Sequence, residues 1–215
     1  ADQTIHRNEE HRRKEKKMKG KKLTGKIAAC CLMGLILLAS SGCREAHVSG
    51  GGLLTEEELA SREELYGSGR DDVFQALGLT EDEITESSSP GAWDLREPAD
   101  MEGTAFTSSL LFDVSNETLY GFRYMYQSGS SEGTAELMDT LLSKATELYG
   151  APDTYPGLSN RLSSEDFQTA LSSGTMGEWY EEWEAGSESM FTLSVHIIDA
   201  QTSTLILDYS LKRPL

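Results

Sequence analysis

The sequence predicts an α+β domain: a tandem repeat in which each half is two helices followed by about three antiparallel strands, with the helices on one face of the sheet. Three observations predict it. Short motifs recur in the same order at a nearly constant spacing, helical periodicity precedes strand periodicity in each half, and turn residues punctuate the two at matching places. Glu64-Leu65-Tyr66-Gly67 returns as Glu147-Leu148-Tyr149-Gly150, an offset of 83. Phe74-Gln75-Ala76-Leu77 returns as Phe167-Gln168-Thr169-Ala170-Leu171, an offset of 93 with one insertion. Trp93 has a counterpart in Trp179 or Trp183, Phe106-Thr107 in Phe191-Thr192, Asp113 in Asp199, and Thr118-Leu119 in Thr204-Leu205. Their offsets are 86 or 90, 85, 86 and 86. A shared order at a shared spacing is the mark of an internal duplication, and it divides the domain into repeats at 53–128 and 129–215.

In the first half, Thr55-Glu56-Glu57-Glu58 reads as a capping box opening a helix that ends near Gly67. Asp71–Leu77 makes a second short helix, closed by Gly78. Ser87–Gly91 is a loop. Strands follow near Trp93–Leu95, Thr104–Val114 and Thr118–Tyr126, the last two joined by Ser115-Asn116-Glu117 as a hairpin turn. In the second half, Leu137, Met138, Leu141, Leu142, Ala145, Leu148 and Tyr149 share one face of a helix over Thr134–Tyr149. Gly150 ends it, and Ala151-Pro152 prevents continuation. Ser163–Leu171 is a second short helix. Three strands follow, at Gly177–Glu184, Met190–Asp199 and Thr202–Leu211. In the middle one Phe191, Leu193, Val195 and Ile197 alternate with polar residues, as in a half-buried strand.

Charge separates this domain from what precedes it. Residues 1–42 carry ten Lys/Arg and four Asp/Glu, a net of +6, whereas residues 43–215 carry nine Lys/Arg and 32 Asp/Glu, a net of −23. So acidic a domain is repelled by phosphate backbones, which excludes nucleic acid as an expected partner. All three cysteines, Cys30, Cys31 and Cys43, lie at or before residue 43, so the domain has no disulfide and must be held by packing.

Residues 18–42 read as a signal peptide. Lys19, Lys21, Lys22 and Lys26 form a basic n-region, Ile27–Ala39 is a thirteen-residue apolar run, and Ser40-Ser41-Gly42 is a small-residue cleavage site. Thirteen helical residues span about 20 Å, short of the ~30 Å hydrocarbon core. Residues 1–17 lack an apolar run and read as an upstream extension of a chain whose start is Met18. Residues 43–52, with Ser49-Gly50-Gly51-Gly52, make a flexible tether.

Ser41-Gly42-Cys43 after that apolar run resembles the lipobox of bacterial lipoproteins. The resemblance implies cleavage before Cys43, lipid on its thiol, and residence at the extracytoplasmic face of a bacterial cell membrane. The order of elements in the domain is similar to the β-lactamase inhibitor protein fold, a tandem repeat of helix-loop-helix and antiparallel sheet. It is also similar to the small lipoproteins of outer-membrane assembly, which carry one such unit. That likeness covers roughly residues 53–213 and implies a protein-binding sheet surface.

Two stretches invite a chemical reading. In Glu178-Trp179-Tyr180-Glu181-Glu182-Trp183-Glu184, a strand places Trp179, Glu181 and Trp183 on one face and the other four on the opposite face. Carboxylates beside tryptophan can hydrolyse glycosides, but only when two face each other across a cleft. The alternative is a solvated acidic face with tryptophans packed under helices. Between residues 119 and 126, Tyr120, Phe122, Tyr124 and Tyr126 alternate with Leu119, Gly121, Arg123 and Met125. Pairing Leu119 with Leu205 turns the aromatic stripe outward as a binding surface; a register different by one buries the stripe and exposes Arg123. The candidate binding face is therefore Tyr120, Phe122, Tyr124, Tyr126, Trp93, Trp179 and Trp183. His47 and His196 are isolated, no spaced calcium-loop pattern occurs, and no phosphate loop or nucleophile elbow is present, so no metal, cofactor or catalytic residue is expected. The expected function is non-enzymatic binding of an envelope protein by a membrane-anchored lipoprotein. The alternatives are capture of wall glycan or a small solute, and hydrolysis of wall polymer through Glu181 or Glu182.

Overall fold

The computed structural model describes residues 52–154 and 160–212. The extension, the signal segment, Cys43 and all of the tether but Gly52 lie outside the described residues. The chain is α+β, with helices and one antiparallel sheet.

Helix α1 (Glu56–Glu63) starts as the sequence predicts. The Thr55 hydroxyl accepts from the Glu58 amide, and the Glu58 carboxylate accepts from the Thr55 amide at 2.8 Å. Helix α2 (Arg70–Leu77) stops at Gly78, whose φ of 67° is left-handed and suits a residue without a Cβ. Three residues each form β1 (Ile84–Glu86) and β3 (Ala99–Met101), neither of which is visible in the sequence pattern. Strands β2 (Ala92–Leu95), β4 (Thr104–Phe112) and β5 (Leu119–Ser128) stand within a few residues of their predicted bounds. Helix α3 (Ser131–Tyr149) is capped by Ser130 and helix α4 (Glu165–Ser173) by Ser164. Strands β6 (Gly177–Glu184), β7 (Ser189–Ile197) and β8 (Ser203–Leu211) complete the domain.

The first half thus contributes five strands, not three. They run into one sheet in the order β1-β2-β4-β5-β8-β7-β6, with β3 pairing the remaining length of β4. The two halves meet through the β5–β8 ladder, where Arg123 stands directly opposite Asp208. At the β6 edge, the Tyr180 amide donates to the Asn160 carbonyl, and the Asp153 amide to the Glu182 carbonyl. Those bonds occupy backbone groups that an open edge leaves free for unwanted pairing.

One alternation of the long strands carries the core. Phe106, Leu110 and Phe112 on β4, Phe122 and Tyr124 on β5, Leu205, Leu207 and Tyr209 on β8, Phe191, Leu193 and Val195 on β7, and Trp179 and Trp183 on β6 are buried. Side chains of the helices and of the turn after α1 reach these residues. Tyr66 in that turn packs on Phe122, Phe74 on Trp93 and Phe112, Tyr149 on Phe191 and Tyr209, and Phe167 on Trp179.

The segment before α1 is fastened to this core. The Tyr149 hydroxyl donates to the Leu54 carbonyl at 2.6 Å, and the Tyr209 hydroxyl accepts from the Leu54 amide at 3.1 Å. The two hydroxyls are 3.0 Å apart, which closes the loop with Tyr209 donating to Tyr149. Burial pushes the Tyr149 hydroxyl up to about 12 and that of Tyr209 well above its ordinary value, so both remain protonated donors. Tyr209→Phe leaves the Leu54 amide without its partner. The expected cost is about 1–2 kcal/mol, read as a lower urea midpoint with an unchanged slope.

Candidate binding face

The structure does not assemble the seven predicted aromatics as an exposed face. Phe122, Tyr124, Trp179 and Trp183 are core residues. Trp93 is half-buried between Phe74 and the Arg70 guanidinium, which lies 5.0 Å above its ring. Tyr126 packs on Phe106 with ring centroids 5.5 Å apart. Only Tyr120 of the set is exposed, at 39%.

A β-bulge explains the correction. Leu111 pairs with Gly121 and Phe112 with Leu119, so Tyr120 is an extra residue on β5. Leu119 points inward as its match with Leu205 implies, and the bulge then switches the alternation so that Phe122, Tyr124 and Tyr126 point inward too. Gly121 is required there, since a Cβ on it would sit 2.8 Å from the Tyr209 carbonyl oxygen. The Tyr124 hydroxyl accepts from Arg62 at 2.9 Å, and the same guanidinium lies over Phe122 at 5.0 Å. Those contacts give the stripe a core partner in α1.

Glu181 is also inward and is 2% exposed. Arg161 clasps it with Nε and Nη2, and Ser163 donates its amide at 3.2 Å and its hydroxyl at 2.7 Å. This is a saturated structural carboxylate that ties the chain before α4 to β6. Glu182 points the other way. Adjacent positions on one strand place Glu181 and Glu182 on opposite faces, so the two do not face each other across one cleft.

The opposite alternation, away from the helix contacts above, forms rows across the strands. One row runs Asp94, Ser109, Arg123, Asp208, Thr192, Glu182. Arg123 forks onto Asp208 through two bonds of 2.7 Å, and the Ser109 hydroxyl donates to Asp94 at 2.6 Å. The next row is more apolar: Thr107, Met125, Ile206, Ser194, Tyr180. Beyond it, His196 meets Glu178 at 2.9 Å, and at the other end Lys212 meets Glu184 at 3.1 Å. Sequence reasoning placed Tyr180 with the glutamates on the solvated side and Arg123 with Met125 opposite the stripe. It did not bring these together, because that needs the β5–β8 and β6–β7 registers.

Burial, and after it the nearby Asp153 charge, holds the Glu182 carboxyl above the usual carboxylate range. A raised acid binds its proton more tightly in the folded state, so folding is favoured by it below the usual range and loses that advantage as pH rises through the raised value. Glu182→Gln removes the ionised group. The expected result is a melting temperature about 1–2 °C higher at pH 7 and unchanged at pH 4, measured by calorimetry.

Among the described residues there is no group of three or more His, Cys, Asp and Glu placed to hold a metal ion, and no helix long and apolar enough to cross a membrane. No protein-family model matches the chain, and neither a curated protein nor a solved structure is found to match it.

Proposed function

We propose that this chain is a bacterial lipoprotein, anchored by lipid on Cys43 at the extracytoplasmic face of the membrane. It acts there as a non-enzymatic module that binds another envelope protein. The domain is a tandem repeat whose helices gather on one face of the sheet, and the opposite face is the contact surface. The repeat is supported by the sheet order: β2, β4 and β5 on one side of the central ladder correspond to β6, β7 and β8 at mirrored places on the other. Their first residues are 85, 85 and 84 positions apart.

The observation that carries the binding reading is the second alternation of the five long strands. Five strands about 4.8 Å apart and roughly 30 Å long present on the order of 700 Å², close to the ~800 Å² each partner gives to a standard interface. On it the Arg123–Asp208 fork and Met125, beside the buried Ile206, stand on the central ladder, Tyr180 stands at the β6 edge, and further charged pairs stand at the margins, so apolar and charged contacts are mixed across the face.

Two experiments test the reading. Cys43→Ser is expected to move the protein from the membrane to the soluble fraction; a variant that stays membrane-bound overturns the anchor. The immobilised chain is then exposed to solubilised envelope and digested wall fragments of the source cells. One dominant protein, lost on Tyr180→Ala or Met125→Ala and retained on Tyr120→Ala, supports the face. Capture of glycan alone moves the reading to the wall-glycan or solute-binding alternative. A groove of about 520 Å³ between Phe112, Val114, Tyr120, Leu211 and Lys212 favours that alternative. Shortening of the captured glycan reopens hydrolysis.

A further inference from the structure

We propose that the partner of this sheet face presents a basic surface of lysine or arginine. The inference rests on the binding reading above and adds the partner's chemistry to it. The row Met125–Ile206–Ser194–Tyr180, in which Ile206 and Ser194 are buried and Met125 and Tyr180 half-buried, is flanked on both sides by carboxylates. Asp208 and Glu182 lie one row away on one side, and Glu178 is in the row on the other. Same-face rows are about 7 Å apart, so a side chain seated on Tyr180 has Glu178 and Glu182 within reach of its neighbours.

The charge on this face is one-sided. Asp94, Glu178, Glu182, Glu184 and Asp208, five carboxylates, stand against two fixed cations, Arg123 spent on Asp208 and Lys212 on Glu184, while His196 meets Glu178. Glu182 is held in an unfavourable state by burial and by Asp153, which a cation brought to it relieves. An acidic partner surface would meet like charge here, at a cost that discriminates strongly against it. A second copy of this chain is disfavoured on the same ground, since each domain carries a net −23.

The test uses the full chain purified in detergent and two probe proteins. One is cytochrome c, whose lysines ring an apolar patch, and the other is acidic serum albumin. The expected result is binding of cytochrome c alone, weakened at least tenfold by Glu178→Gln/Glu182→Gln/Glu184→Gln. The charge-matched set Glu56→Gln/Glu57→Gln/Glu136→Gln on the helices should weaken it less than twofold. Amide signals of Thr192, Ser194 and Ile206 should shift on titration. Equal weakening by both sets means a response to net charge alone and overturns the proposal. Binding of albumin, or self-association of the chain through Tyr180, overturns it as well. An envelope partner lost on Tyr180→Ala but indifferent to the sheet glutamates overturns the basic-partner claim while leaving the face in place. A partner indifferent to every sheet variant overturns both.

Discussion

Trp183→Ala is expected to cost about 3–5 kcal/mol, a large part of the stability of a domain this size. The indole is fully buried, its ring centroid is 5.4 Å from that of Phe191, and its N–H donates to the Gly150 carbonyl at 3.1 Å. Truncation leaves a cavity beside Phe191, between the sheet and the end of α3, and removes the partner of the Gly150 carbonyl. Urea unfolding should show a much lower midpoint with the slope retained. Tyr120→Ala, on the bulge, should stay within about 0.5 kcal/mol of the parent. A Trp183 variant as mild as the Tyr120 variant would contradict the placement of the tryptophans in the core.

Arg161→Met is expected to be of similar severity, about 3–5 kcal/mol, because it leaves the Glu181 carboxylate buried without its counter-charge. The side chain of Glu181 is 1% exposed, and Ser163 alone cannot replace a guanidinium. The loss should spread to the sheet edge, since the neighbouring Asn160 carbonyl takes the Tyr180 amide. Arg161→Met/Glu181→Leu should recover most of the loss, because a buried ion pair is often worth little more than apolar residues of similar volume. A double-mutant cycle should give a coupling of at least ~2 kcal/mol. Additive losses would mean that the two side chains do not depend on each other.

Much of this fold is written locally and was legible for that reason. The capping box at Thr55, the left-handed stop at Gly78 and the two-residue alternation of β7 each depend on a few neighbours in the chain. The β6 bounds match the predicted ones. Three features depend on the rest of the molecule and were not legible. Strands β1 and β3 have three residues each, too few for a period, and exist because β2 and β4 offer them a ladder. The bulge at Tyr120 reverses the meaning of the aromatic stripe, and beside it Gly121 comes close to Tyr209 on a strand 88 residues away in sequence. The partner of Glu181 comes from a loop in which nothing in the residue pattern marks Arg161.

The candidate face shows the same division. Alternation within β6 already set Glu178, Tyr180, Glu182 and Glu184 on one side. What joined them to Met125, Ile206 and the Arg123–Asp208 fork was the register between strands far apart in sequence. The two halves meet in one sheet through the β5–β8 ladder, and the surface they share exists only after they pair.

The most direct test of the account is photo-crosslinking in the source cells, with a photoreactive residue at Tyr180 on the sheet face or at Glu136 on α3. The account predicts one adduct of defined mass from position 180, formed in the membrane fraction, and none from position 136. Adducts from position 136 with none from position 180 would contradict it.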